Sequence, residues 1–192
     1  MRIFLAGGTG VIGIRLVPLL VQAGHTVAGM TRSPAKVADL EALGATAVVC
    51  DVYDAEALTA AVVGFAPDGV MHQLTDLPDD AAQIRTLGAR NDRMRSEGTR
   101  NLLAAAKAAN AERISAQSIA WELPGERGTT VREHERAVLD AGGVVIRYGQ
   151  LYGPGTYYET AAPDPPRIHV DDAARRTVPI LDAAPGIVEL VE

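Results

Sequence analysis

Cysteine is almost absent from this sequence: Cys50 stands alone among 192 residues. A single thiol excludes an internal disulfide framework and a cysteine-based zinc site. Aromatic residues make up only 4%, while 47% of the chain is hydrophobic, so the core must be built from small aliphatic side chains. Basic excess is also lacking. Eighteen Lys and Arg face twenty-four Asp and Glu, a net charge of −6, which argues against a general nucleic-acid binder. Lysine is scarce, with only Lys36 and Lys107 beside sixteen arginines. No apolar run approaches the ~20 residues of a membrane span. Met1 leads straight into "RIFLAGG" without a charged–apolar–small leader pattern, so a cytoplasmic location is expected. Repeats, low-complexity tracts and linker-like stretches are missing too. The length suits one domain over residues 1–192.

What is present is a regular alternation of apolar strand-like runs with helical patterns. Strands are expected at "RIFLAG", "HTVAGM", "ATAVVC", "GVMHQL", "ERISAQS", "GVVIRYG" and "GIVELVE". Helices are expected over 11–23, 34–43, 54–64, much of 79–110 with a break near Gly88, 130–141 and 171–183. Near-continuous apolar strands joined by helices imply a parallel sheet covered on both faces. With right-handed crossovers the expected fold is α/β, a doubly wound Rossmann sheet of order 3-2-1-4-5-6 with a seventh strand. The stretch from Tyr148 to Pro166, rich in Gly, Pro and Tyr, reads as a loop over the carboxyl ends of the strands. With the residues up to about 170 it forms a small substrate-side region.

"GGTGVIG" closes the first strand and opens the first helix. Gly7 permits the tight turn, Gly10 lets the backbone approach a pyrophosphate, and Gly13 lets helix and strand pack closely. Thr9, Val11 and Ile12 complete this loop, whose helix amino terminus offers N–H groups to phosphate. The second strand ends in Met30 and Thr31, where an NAD site usually carries an acid. Arg32 follows, and Lys36 lies one helical turn on. A guanidinium matches a 2′-phosphate, so NADP is favoured over NAD. Asp51 and Val52 follow the third strand. Asp51 suits an adenine amino group, or a cap on the helix that Asp54 also begins.

Together these residues resemble the short-chain dehydrogenase/reductase superfamily, in its atypical and extended branches of NAD-dependent epimerase/dehydratase type. The resemblance rests on "GGTGVIG", "CDVYD", "EGTRNLLAAAKAA", "AQSIAW", "VVIRYGQLYGPG" and "RIHVDDAA", and covers nearly the whole chain. It implies that Gly7, Gly10 and Gly13 hold the pyrophosphate, Arg32 reads the ribose side, and Asp51 and Val52 hold the adenine. It also implies that Gln73 and Leu74 in "HQLT" pass beside the middle of the cofactor. Ser118 falls at the superfamily's catalytic Ser or Thr.

The superfamily's Tyr-x-x-x-Lys pair is missing. Between Ser118 and Arg147 there is neither Tyr nor Lys. If Glu135 matches the late glutamate of that helix, the two positions fall near Arg127 and Val131. Candidate proton-handling groups are therefore Ser118, Tyr148 and Tyr152, the tyrosines equally suited to packing. His134, between charged neighbours, reads as exposed on a polar helix face, with a proton shuttle as the sharper alternative. His72 reads as buried and hydrogen-bonded. His169, Asp171 and Asp172 lie at a helix start, which makes Asp171 an N-cap rather than a metal ligand, and no metal is expected.

The leading expectation is an NADP-binding oxidoreductase acting on a small carbonyl or hydroxyl compound. A binding module that senses NADP(H) without turnover is the alternative, as is a non-redox isomerase or cyclase on the same fold. A small-molecule substrate, no nucleic acid, no membrane and a plausible homodimer complete the reading.

Overall fold

The computed structural model describes residues 1–78 and 80–192. Residue 79, where the expected fourth helical segment begins, lies outside the described residues. Seven strands form one parallel sheet: β1 (Arg2–Ala6), β2 (Thr26–Thr31), β3 (Thr46–Val49), β4 (Gly69–His72), β5 (Arg113–Ile119), β6 (Val144–Tyr148) and, last in the chain, Gly186–Leu190. Their order is 3-2-1-4-5-6 with the last strand beside β6, and every pairing is parallel. The expected doubly wound sheet, seventh strand included, is the fold found.

Side chains alternate across β1, so its two faces feed two different cores. Ile3 and Leu5 pack with Leu16 and Leu20 of α1 (Gly13–Gln22) and with Ala173 of the last helix. Phe4 and Ala6 pack with Leu58 and Val62 of α3 (Ala55–Phe65) and with Leu102 and Ala105 of α5 (Thr99–Ala108). α2 (Val37–Ala42) follows a 3₁₀ turn at Pro34–Lys36. Asp54 caps α3 as expected, accepting from the Ala57 N–H at 3.0 Å.

Several boundaries differ from the sequence reading. The segment expected to break near Gly88 runs through it as α4 (Ile84–Arg93). The irregularity comes later, as a π-helical turn at Met94–Gly98 leading into α5. α6 spans Gly125–Asp140, starting five residues earlier than expected. Gly128 lies inside it because a Cβ there would collide with the Leu123 carbonyl. The 148–166 stretch is not wholly loop: β7 (Gln150–Tyr152) pairs in parallel with β8 (Arg167–His169). α7 (Val170–Thr177) follows and gives way to a 3₁₀ turn, so the last strand is β9. The N-cap of α7 is His169, not Asp171. The chain leaves β8 directly into the helix, and the imidazole Nδ1 accepts the Asp171 N–H.

The register brings the carboxyl ends of the central strands level. Ala6 sits beside both Met30 and His72, and Ser118 beside Arg147. Ligands bind at this edge in doubly wound sheets, around the switch between β1 and β4.

Candidate functional site

The glycine loop fits its task through two kinds of glycine. Gly13 is a packing glycine, since a Cβ there would strike the Gly7 carbonyl oxygen. Gly7 has φ +93° and would place a Cβ 2.7 Å from the Gln73 carbonyl. Gly10 differs: it is exposed, and the nearest atom to its Cβ position is Gly7 O at 3.3 Å. Its outer face is left open for a ligand. Ile12, buried, stands at the N-cap of α1 with no side-chain acceptor, and the first turn carries no acid. Those N–H groups and the helix dipole therefore suit an anion at the loop. Thr9 ties the loop to β2 through Thr31, hydroxyl to hydroxyl at 3.1 Å. Val11 touches the next layer, 3.8 Å from a Cβ position on Gly155. Arg15 secures that layer, donating to the carbonyls of Val11 and Pro154 and to Asp171 at 2.6 Å.

Beyond β2, Arg32 donates to Asp76 Oδ1 at 3.0 Å, and Arg90 of α4 donates to the same carboxylate at 2.7 and 3.3 Å. Asp76 is buried, and both arginines are about half exposed. Burial alone would raise the Asp76 carboxyl, but the two guanidiniums outweigh it and hold it below the usual value. Lys36 lies on the exposed 34–36 turn. Asp51 accepts the Tyr53 N–H at 3.0 Å instead of capping α3, and Val52 is buried beside it. Arg93 lies 3.9 Å over the Tyr53 ring. Among the described residues the Tyr53 hydroxyl and Gln73 Oε1 are buried without a partner. Gln73 packs its backbone against Gly7, and its side-chain amide reaches the Tyr148 hydroxyl, leaving Oε1 an unmet acceptor at that end. Leu74 follows it on the same wall. The open Gly10 face, the uncapped helix and these unmet atoms fit a dinucleotide.

At the other end, the Ser118 hydroxyl donates to Glu135 Oε1 at 2.6 Å. Arg147 grips the same carboxylate at 2.9 and 2.6 Å. Burial would raise the Glu135 carboxyl, but the Arg147 and Ser118 bonds hold it low. Tyr148 is buried. Thr177 gives its proton to the Ala173 carbonyl, so it must accept from the Tyr148 hydroxyl at 2.6 Å, while Gln73 Nε2 donates to that hydroxyl at 3.2 Å. Burial pushes this phenol up to about 12. Tyr152 donates to Glu192, and the His169 ring stacks edge-on against it. Each of the three candidate hydroxyls has thus already given its proton to a neighbour.

The histidines form one chain of bonds. The Leu74 N–H donates to His72 Nδ1, and His72 Nε2 meets Thr99 Oγ1 at 3.0 Å. Thr99 meets His134 Nδ1 at 2.8 Å, and His134 Nε2 meets the Gln117 carbonyl at 2.9 Å. A carbonyl can only accept and an N–H only donate, so His72 is neutral with its proton on Nε2, and His134 carries a proton on Nε2. His72 is buried as expected. His134 is not exposed: it is 2% accessible, on a buried stripe of α6 with Gly128, Val131, Glu135 and Val138. Burial lowers both, His72 to about 3. Asp76, Arg90 and Thr99 escaped the sequence reading. Their partners lie 14 to 44 residues away with no local motif.

The model of the NAD(P)H-binding family matches residues 7–146. The chain belongs to that family. It is 39% identical over 185 residues to a 3-diazoavenalumate denitrifying reductase of Streptomyces sp, covering 82% of this chain and 59% of the relative. The chain thus spans about three fifths of that relative's length. It is also 32% identical over 115 residues to a 3-beta-hydroxysteroid dehydrogenase of Mycolicibacterium neoaurum, covering 59% of this chain and 30% of that one. Among solved structures, the UDP-glucose 4-epimerase of Thermus thermophilus complexed with NAD superposes with a TM-score of 0.82 at 19% identity. The match covers all of this chain and 78% of the epimerase. That likeness is one of fold. The expected resemblance is borne out as membership of the NAD(P)H-binding family, with a reductase and a dehydrogenase among the relatives. Among the described residues no helix is long and apolar enough to cross a membrane.

Proposed function

We propose that this NAD(P)H-binding chain prefers NADP to NAD and serves an oxidoreductase acting on a small carbonyl or hydroxyl compound. The observation that carries the reading is the open face of Gly10 beneath the uncapped start of α1, with Arg32 rather than an acid after β2. In this reading Gly7, Gly10 and Gly13 with Thr9, Val11 and Ile12 hold the pyrophosphate. Thr31, Arg32 and Lys36 face the adenosine ribose, Asp51 and Val52 the adenine, and Gln73 and Leu74 the middle of the cofactor. A bound nicotinamide would supply the hydride. Ser118, buried and with its hydroxyl bonded to Glu135, offers no donor to a substrate carbonyl. Tyr148 and Tyr152 hold the neighbouring strand ends through Thr177 and Glu192. Water at the mouth would then carry the reaction's proton.

The test is titration of the purified protein with NADPH and NADH, followed by nicotinamide fluorescence, then a screen of carbonyls and alcohols followed by nicotinamide absorbance. Saturable, tighter binding of NADPH with turnover of one compound supports the reading. Equal affinity for both cofactors removes the NADP preference, and no binding of either removes the whole of it.

One observation favours a second reading. The protons of Ser118, Tyr148 and Tyr152 are all committed to neighbours, which suits a module that binds NADP(H) without turnover. Tight binding with no turnover in the same screen would select it.

A further inference from the structure

Arg32 does not stand alone at the end of β2. Its guanidinium and that of Arg90, delivered by α4, converge on the two oxygens of one buried carboxylate, Asp76. Asp76 is itself fixed, because its backbone N–H donates to Asn91 Oδ1 at 3.0 Å. The three side chains come from the end of β2, the loop after β4, and α4, three places that only the fold brings together.

A cleft of about 390 Å³ opens beside this cluster. Arg32 and Arg90 form its charged wall, and Leu77, Pro78 and Leu87 supply apolar surface. Asp80, on the rim, uses its carboxylate to accept the Ala82 N–H that starts the 81–83 turn. Asp76 engages Arg32 through Nη2 and Arg90 through Nε and Nη2. Arg32 therefore keeps its Nε and Nη1 donors, and Arg90 keeps Nη1. Two half-exposed guanidiniums, oriented by a buried carboxylate and still carrying free donors, make a fork for a phosphate. Gln83 adds to a mainly polar lining, and the smaller apolar edge suits the attached base.

We propose that Arg90 is a second specificity-determining residue, which with Arg32 binds the 2′-phosphate of the NADP adenosine, and that Asp76 positions both arginines. This rests on the NADP reading above and deepens it. It adds a cation from α4 to the ribose side, in addition to Lys36 on the exposed 34–36 turn. Asp76 does for this pair what a bidentate clamp requires: it removes the rotamer freedom that each long side chain would otherwise lose on binding phosphate.

The test uses adenosine 2′,5′-bisphosphate and 5′-AMP, which differ only in the 2′-phosphate and need no nicotinamide end. Affinities are measured by calorimetry for the unaltered protein, Arg32→Ala, Arg90→Gln and Arg90→Lys, each checked for an unchanged thermal transition. The expected result is that the unaltered protein prefers the bisphosphate. Arg90→Gln should lose about ten-fold or more in bisphosphate affinity, the scale of a charge-assisted bond, with 5′-AMP unchanged. Arg90→Lys should fall between the two, because it keeps the charge and loses the fork. It also carries the test if the glutamine variant is unstable. If Arg32→Ala abolishes the preference while both Arg90 variants keep it, the Arg90 inference falls and the NADP reading stands. If the unaltered protein does not distinguish the two nucleotides, both fall. If Arg90→Gln weakens both nucleotides equally, Arg90 supports the cleft without reading the phosphate, and the inference is overturned.

Discussion

The Ser118 hydroxyl donates to Glu135 Oε1 at 2.6 Å, joining the end of β5 to the middle of α6. Arg147 on β6 closes the other side of that carboxylate, so two adjacent strand ends and one helix meet at a single buried charge. Replacing Ser118 by Ala removes a hydroxyl bond to a buried carboxylate and should cost about 1.5 kcal/mol. Glu135→Gln leaves Arg147 without its counter-charge and should cost more, up to about 3 kcal/mol, tempered because Arg147 is a third exposed. Urea denaturation of both variants checks the order. Equal losses would mean that the ion pair contributes nothing beyond the hydroxyl.

The glycine loop separates folding from binding. Gly13→Ala forces a Cβ into the Gly7 carbonyl and should destabilise the fold by several kcal/mol, on the order of 3. Gly10→Ala meets nothing closer than 3.3 Å. That contact with backbone is tight, so the variant should melt slightly lower, with far less loss than Gly13→Ala, yet bind NADPH about ten-fold more weakly, because the methyl group occupies the ligand's approach. Thermal unfolding and fluorescence titration read the two effects independently. Unimpaired NADPH binding by Gly10→Ala would show that the open face is not where the pyrophosphate lies.

Stability should fall as pH drops below about 6.5, the ordinary histidine value from which His72 and His134 are both lowered. In that range the unfolded chain takes up protons that the folded chain refuses, so stability rises with pH. The full contribution is present above about 6.5, and for His72 it is lost progressively down to about 3. Each histidine should contribute a slope of up to about 1.4 kcal/mol per pH unit. Between pH 6.5 and 4.5, before Glu135 and Asp76 protonate in the unfolded chain, the histidines should dominate. Denaturation at a series of pH values measures this, and a flat profile from about 7 to about 5 would contradict it.

Tyr148→Phe should cost about 1–2 kcal/mol, because it strips Thr177 of its donor and leaves Gln73 Nε2 without its acceptor. The phenol is held up to about 12, so any ionisation near neutral pH in a rate profile should survive in this variant. Its disappearance would assign that ionisation to Tyr148.

The sheet was legible because the strands are short, nearly continuous apolar runs set off by glycine and helix caps, and a parallel order follows from them. The loop glycines were legible from their spacing between a strand and a helix, and Gly13 has its steric reason within the loop itself. The start of α6 was not. "PGERGTT" has the composition of a loop, and only the close approach of the Leu123 carbonyl explains a glycine within the helix. His134 misled for a related reason: its charged neighbours suggested solvent, yet the stripe it shares with Val131 and Val138 faces inward. The Asp76 cluster was invisible, because nothing local links positions 32, 76 and 90. Their proximity is made entirely by the crossovers of the fold.

The histidine chain has a direction. Its bonds run one way, from the Leu74 N–H, which can only give, to the Gln117 carbonyl, which can only receive. Gln117 Nε2 then reaches back to the Leu74 carbonyl at 3.1 Å. Neither end loads or releases a proton, because an amide N–H does not ionise and an amide carbonyl does not hold a proton near neutral pH. The two imidazoles are therefore a strut and not a wire. They brace the tips of β4 and β5 against each other, and whatever proton traffic this protein conducts must pass elsewhere.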